Sequence, residues 1–193
     1  MNLILDLLTG LGLAACCGLS PFLPALVAGG LAAGDVGVDF DGTALSFLEE
    51  PWFLALMAVL FVAGVVVRVQ RPALAAQVGV FGITVGALLF GATLDDSQDT
   101  WFYGLVLGAL VAAGSYVVAR SLFERVRERF SRAGDQSAAA ALPVYAEGTG
   151  LVGAALSVLL PPVSLLLVGF LAVLGARQRG REGQKYAGLR ILR

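Results

Sequence analysis

The chain has 193 residues, 58% of them hydrophobic, with a mean hydropathy of +0.86. Only 14% are charged and the net charge is −1, against roughly 25% charged in a typical soluble domain. That leaves too little polar surface for a water-soluble globule, and the absence of histidine excludes a histidine metal site or a histidine-based catalytic dyad.

About 20 apolar residues cross the ~30 Å hydrocarbon core of a bilayer as a helix. Read in chain order, the first apolar run stretches from Met1 to Gly34 with Asp6 as its one charge. Its middle, "CCGLSPFLPAL", holds Gly18, Ser20, Pro21 and Pro24, which interrupt a helix. Gly18 suits the position past a helix end, Ser20 an N-cap, and Pro21 a first helical position. The run therefore reads as two short segments, 3–17 and 21–33. They are either a hairpin, deep or re-entrant, or two halves of one bent span. The hairpin is preferred, because no basic side chain precedes the first segment.

"LAAC", Leu13–Cys16, resembles a lipoprotein cleavage box, but a signal peptide needs a positive leading region, and Asn2 and Asp6 do not supply one. Processing there is not expected. Adjacent Cys16 and Cys17 imply no disulfide framework and read as small packing residues.

Residues 51–67 and 73–94 follow as charge-free blocks, separated by Arg68 and Arg71, with Pro72 opening the second. Residues 100–119 form the next block. It runs on into "RSLFERVRERFSR", a helical extension over 120–132 with Leu122, Val126 and Phe130 on one stripe. Arg120/Glu124 and Glu128/Arg132 sit at i, i+4 spacing in it. The 40 residues 137–176 would measure ~60 Å as one helix, so they must cross twice. Pro161 and Pro162 supply the turn between 138–159 and 162–176. The basic tail 177–193 ends the chain as given.

The expected fold is a single all-α unit over 1–193, a polytopic transmembrane helical bundle of six or seven membrane segments, its first run broken at Gly18–Pro24.

Charge is sorted along the chain. Asp35, Asp39, Asp41, Glu49 and Glu50 share one connection and Asp95, Asp96 and Asp99 another, and neither contains Lys or Arg. The thirteen basic residues lie in the other connections. Cytoplasmic loops collect Lys and Arg, so these are expected in the cytosol, the C-terminal tail included. Lys185, Arg190 and Arg193 in that tail are expected to meet anionic lipid headgroups.

Two features point to a polar site. A helix start leaves backbone N–H groups unpaired and carries the positive end of the helix dipole. Inside a bilayer such a start must face protein or a wet cavity, and discontinuous helices build substrate sites in transporters. A cytoplasmic-side hairpin turn at Gly18–Ser20 would need no ligand, and both readings stand. The second feature is Glu147 in "LPVYAEGTGLVG", the one acid in the 137–176 block. An intramembrane carboxylate is expensive and is a functional candidate, unless it sits near the interface and pairs with an arginine of the 120s. The candidate binding residues are thus Ser20, Pro21, Phe22, Tyr145, Glu147 and Thr149. Asp6 is expected to cap the first helix.

Gly82/Gly86 and Gly104/Gly108 are small-xxx-small pairs that allow close helix packing, within the subunit or in a homo-oligomer. The proline-initiated segments at Pro21 and Pro161 run in opposite directions, as an inverted repeat would, without a residue-level repeat.

At "AACCGLSPFLPALVAGGLA" the chain resembles a family of uncharacterised bacterial membrane proteins, domain of unknown function 4126. The resemblance rests on Gly18, Leu19, Phe22, Leu23 and Pro24 after an apolar helix, and on Pro51 and Trp52 opening the next span. Size and rhythm extend it over most of the chain. Of the Asn-Pro and acidic pair usual in the later part of that family, "LPVYAEG" keeps Pro143 and Glu147. The resemblance implies a bacterial cytoplasmic (inner) membrane location and no activity.

No P-loop, dinucleotide motif or nucleophile–base pair appears, so no enzyme, cofactor or metal is expected, and no nucleic acid. The expected function is a small transporter or channel for an ion or small solute. The alternative is a non-transporting scaffold or lipid-interacting protein.

Overall fold

The computed structural model describes the backbone of residues 3–70, 75–98, 101–134 and 136–187. Side chains are described for all of these except at 68–70, 75–76, 96–98, 131, 136, 139–140 and 179–187. The elements are α1 (Leu3–Leu19), α2 (Leu23–Ala32), a 3-10 turn (Ser46–Leu48), α3 (Pro51–Gln70), α4 (Ala75–Gln98), α5 (Trp101–Ala133), α6 (Gln136–Leu159) and α7 (Val163–Ala187). This is an all-helical membrane bundle. Among the described residues, three apolar stretches, Gln77–Asp95, Trp101–Phe130 and Ala141–Leu159, are long and apolar enough to cross a bilayer alone. Leu3–Leu19, Leu23–Ala32, Pro51–Val67 and Val163–Gln178 are apolar but shorter.

The centre of the bundle is α1, which touches α4, α5, α6 and α7. Its composition explains why. Gly10, Gly12, Ala14, Ala15, Cys16, Cys17 and Gly18 are all buried, and none has a side chain longer than one heavy atom beyond Cβ. Helices in lipid gain little from hydrophobicity against one another and associate through close contact, which small residues permit. The two cysteines are free and fully packed.

The Gly82/Gly86 and Gly104/Gly108 faces are occupied within the chain. A Cβ on Gly82 would strike the Cys17 carbonyl, and one on Gly86 would lie 2.8 Å from Ala112 Cβ. One on Gly104 would lie 2.7 Å from Gly91 Cα, and one on Gly108 2.6 Å from Phe90 Cβ. These pairs bind α4 to α1 and α5.

Contacts also decide the course of the first run. Gly10 of α1 faces Thr93 and Phe90, near the Asp95 end of α4. Cys17 and Pro21 face Gly82, near its start. On α2, Gly29 faces Leu48 and Leu54, back beside the loop 33–50. So α1 descends from the acidic-loop face, the chain turns at 20–22, and α2 returns. The run is a hairpin, not a bent span. By the rise along α3 from Pro51 to Gly64 and along α6 from Glu147 to Leu159, the turn lies about 18–20 Å below that face.

The acidic loop closes the end of the bundle. Phe40, Leu45 and Leu48 are buried in the main core cluster. Asp35 (φ 56°), Gly37 and Gly42 (both φ 76°) take the left-handed turns, and the Ala44 N–H donates to Asp95 Oδ2 at 2.6 Å. Within it Asp39, Asp41 and Glu49 bring carboxylate oxygens within 4.8 Å of one another. Partial burial holds the Glu49 carboxyl above its ordinary value of 4.5. The Phe40 N–H, donating at 3.3 Å, works against this, and the charges of Asp41 and Asp39 add to it. Asp41→Asn will therefore lower the Glu49 midpoint toward 4.5 in a carboxyl NMR titration. A raised acid pKa means that the loop's stability contribution is complete below 4.5 and is lost as pH rises through the Glu49 midpoint.

At the other face, α5 continues as one helix through the charged extension. Arg120 pairs with Glu124 at 2.8 Å and Arg132 with Glu128 at 3.6 Å, the i, i+4 pairs read from the sequence. Both are exposed and screened by solvent, so they add little to stability. Ser121 donates to Gln178 Oε1 and ties the extension to α7. Arg71 and Asp99 lie outside the described residues, as do Arg190 and Arg193. The Lys185, Arg68 and Asp96 side chains lie outside them too.

Large apolar side chains face outward on α3 (Val59, Val62), α5 (Leu110) and α7 (Leu166, Phe170). Such bare apolar faces suit lipid and not water.

Candidate functional site

The turn between α1 and α2 is built differently from its sequence reading. Gly18 is inside α1, and the Ser20 N–H still donates to the Cys16 carbonyl at 2.9 Å as an ordinary helical bond. The N-cap of α2 is Phe22, with no side-chain cap, and the proline at its start is Pro24. Ser20 is thus not the cap. Its hydroxyl donates instead to Glu147 Oε2, across 127 residues of sequence.

Both partners are buried, Ser20 at 0% and Glu147 at 7% exposed. Glu147 packs against the turn between α1 and α2. It lies about 16 Å from the start of α6 and about 18 Å from its end. Pro143 does not interrupt α6, which runs through it. The contact depends on Gly150, one turn further on, where a Cβ would come 2.5 Å from Ser20 Cβ. Glycine lets α6 press onto the broken helix.

The neighbouring candidates divide. Pro21 is fully buried against Gly82. Phe22 is buried too, with its ring 5.6 Å from Phe81 and against Gly64. Tyr145 is 69% exposed, and Thr149 is exposed and donates to the Ala146 carbonyl of its own helix. These two face away from the Ser20–Glu147 pair.

A second set of polar groups lies beside the pair. Above the pair, toward the acidic-loop face, Gly153 brings α6 against Cys16: a Cβ there would lie 2.7 Å from its sulfur. The Ser157 and Ser164 hydroxyls converge on the place where a Cβ of Gly12 would sit. Ser157 donates to the Gly153 carbonyl at 2.7 Å, whereas the Ser164 hydroxyl, fully buried, has no partner among the described residues. Only the Gly-x-x-x-Cys spacing of α1 hinted at this seam. Ser164 had no local signal, since a serine after Pro161–Pro162 reads as a turn residue.

An unpaired buried hydroxyl costs about 1–3 kcal/mol. Ser164→Ala is therefore expected to raise the melting temperature of the detergent-purified protein or leave it unchanged. A drop would mean that the hydroxyl is bonded after all.

A family model described as a domain of unknown function, DUF4126, matches residues 7–180 of the chain. No curated protein and no solved structure matches it.

Proposed function

The chain belongs to the DUF4126 family, whose description assigns no activity, and we propose from its own geometry that it moves an ion or small solute across the membrane. The observation that carries this reading is the buried bond between Ser20, at the turn of a hairpin, and Glu147 of α6. A carboxyl within a membrane span is costly to keep, and a helix break inside the membrane places the positive end of a helix dipole where a permeant group can use it. No enzymatic step is part of the reading.

In this reading the arginine face is cytosolic, because Lys and Arg are retained on that side. The membrane is the bacterial inner membrane, and the basic tail rests on anionic lipid.

The test is flux. Wild-type protein in liposomes is screened for proton, alkali-cation and halide movement with internal indicators, beside Glu147→Gln. The reading expects flux in the wild type and its loss in the variant, on the order of a hundredfold if Glu147 handles the permeant proton directly. Equal flux in both removes Glu147 from the mechanism. No flux of any tested species favours the scaffold, for which the outward apolar faces of α3, α5 and α7 would be the docking surfaces.

A further inference from the structure

The chain holds two tryptophans, Trp52 and Trp101, and both stand at the start of a helix at the acidic-loop end of the bundle. The loop ties them to one level. A Cβ on Gly91 would lie 3.2 Å from the Trp101 carbonyl oxygen and 3.2 Å from Leu45. Phe47, two residues beyond Leu45, stacks its ring on that of Trp52 with centroids 6.3 Å apart. Neither indole is packed away: Trp52 is 58% exposed and Trp101 39%, and Phe102 and Tyr103 beside it are exposed as well. A bare patch of this size marks a contact surface. Tryptophan and tyrosine gather where membrane meets water, because an apolar ring with a polar tip suits both media.

The residues above and below the rings fit that place. On α3 the acids Glu49 and Glu50 precede Trp52, and the exposed Leu56, Val59 and Val62 follow it. Before α5 stands Asp95, bonded to the Ala44 N–H, and after its rings come the exposed Val106, Leu107 and Leu110. The lengths fit too. From Trp101 to Arg120, the first charged residue of α5, the helix rises about 28 Å, and α3 rises about 24 Å from Trp52 to Arg68. A hydrocarbon core is ~30 Å thick. Two helices thus separate an indole from an arginine by the same apolar slab.

We propose that Trp52, Trp101 and Tyr103 form a band that docks in the headgroup layer of phospholipid and sets how deep the bundle sits. The rings lie among the ester carbonyls, to which the indole N–H groups donate. Glu50 and Asp95 stand above them, at the level of the headgroup ammonium groups, and the valines and leucines below face the acyl chains. The band also fixes the depth of the polar site. Gly64, which meets Phe22 of the hairpin turn, lies about 18 Å below Trp52 along α3. That is past the middle of a ~30 Å core, so Ser20 and Glu147 stand in the half nearer the arginines. The band holds whether or not the protein transports anything.

Tryptophan fluorescence in phosphatidylcholine vesicles tests it, since the chain has no other indole. Trp52→Phe and Trp101→Phe each leave one to read. Lipid brominated close to the headgroup should quench each of them more strongly than lipid brominated near the chain ends, and aqueous iodide should quench both weakly. Leu110→Trp, in a chain carrying both phenylalanine substitutions, moves the indole about 13 Å further along α5, and the order of the two lipids should reverse. Stronger quenching by the deep bromine in either single variant overturns the band. Iodide quenching without lipid quenching does so as well. An indole shielded from every quencher would be covered by a second copy of the chain, which also overturns it. If the Leu110→Trp indole is quenched best near the headgroup, the slab is misplaced and the depth given to Glu147 falls with it.

Discussion

Gly18→Ala is expected to prevent the bundle from packing. The new methyl would overlap the Ala112 carbonyl oxygen and lie 2.7 Å from Ser115 Cβ and 2.8 Å from Tyr116 N. Two of these three atoms are backbone, so no rotamer change relieves the clash. Nor can α1 retreat. On its far side Cys16 and Ser20 already press on Gly153 and Gly150 of α6. Overpacking a tight core costs about 1–3 kcal/mol, and a clash with backbone on a helix held on four sides belongs at or above the top of that range. Against a total stability of roughly 5–15 kcal/mol, that is a large share. The readout is thermal melting and size-exclusion behaviour in detergent.

Gly148→Ala and Gly169→Ala serve as references. Both sit inside helices with nothing within 4 Å of a new Cβ, so they should be neutral or gain up to about 1 kcal/mol from helix propensity. If Gly18→Ala melts alongside these two, α1 and α5 do not approach as closely as described.

The Ser20–Glu147 pair carries the second large effect. Ser20→Ala removes the donor and should cost about 1–3 kcal/mol. Glu147→Ala should cost more, because it leaves the Ser20 hydroxyl buried without its acceptor and empties space between α6 and the hairpin turn. Glu147→Gln keeps an acceptor oxygen and the volume, so its stability should stay close to wild type while transport falls. A double-mutant cycle of Ser20→Ala and Glu147→Ala should show a coupling of about 1–3 kcal/mol, since the residues touch. Additive costs would mean that the hydroxyl and the carboxyl do not share a bond. The contrast between Gln and Ala at one position separates the group's role in holding the turn from its role in transport.

The helices themselves were largely readable. Blocks free of charge between charged connections mark apolar helices because lipid penalises exposed charge, and Pro161–Pro162 ends α6 where the missing N–H and fixed φ require it. Pro143 obeys the same chemistry and yet lies within α6, since neighbouring turns and packing tolerate one lost bond in a membrane helix. Gly18 and Ser20 show the limit of local rules. Each suits a helix terminus, but Gly18 is needed for contact with α5, and the Ser20 hydroxyl is taken by a carboxylate rather than by its own backbone.

From sequence alone came the solvent: a chain so poor in charge, with acids and arginines sorted into different connections, has to fold in lipid, and its first apolar run has to break near Gly18–Pro24. Tertiary structure alone decided that this run doubles back, that α1 is the central helix, and that Ser20 meets Glu147. Periodicity, capping and proline effects act over a few residues, whereas that meeting spans 127 positions of sequence and depends on how closely glycines let three helices approach.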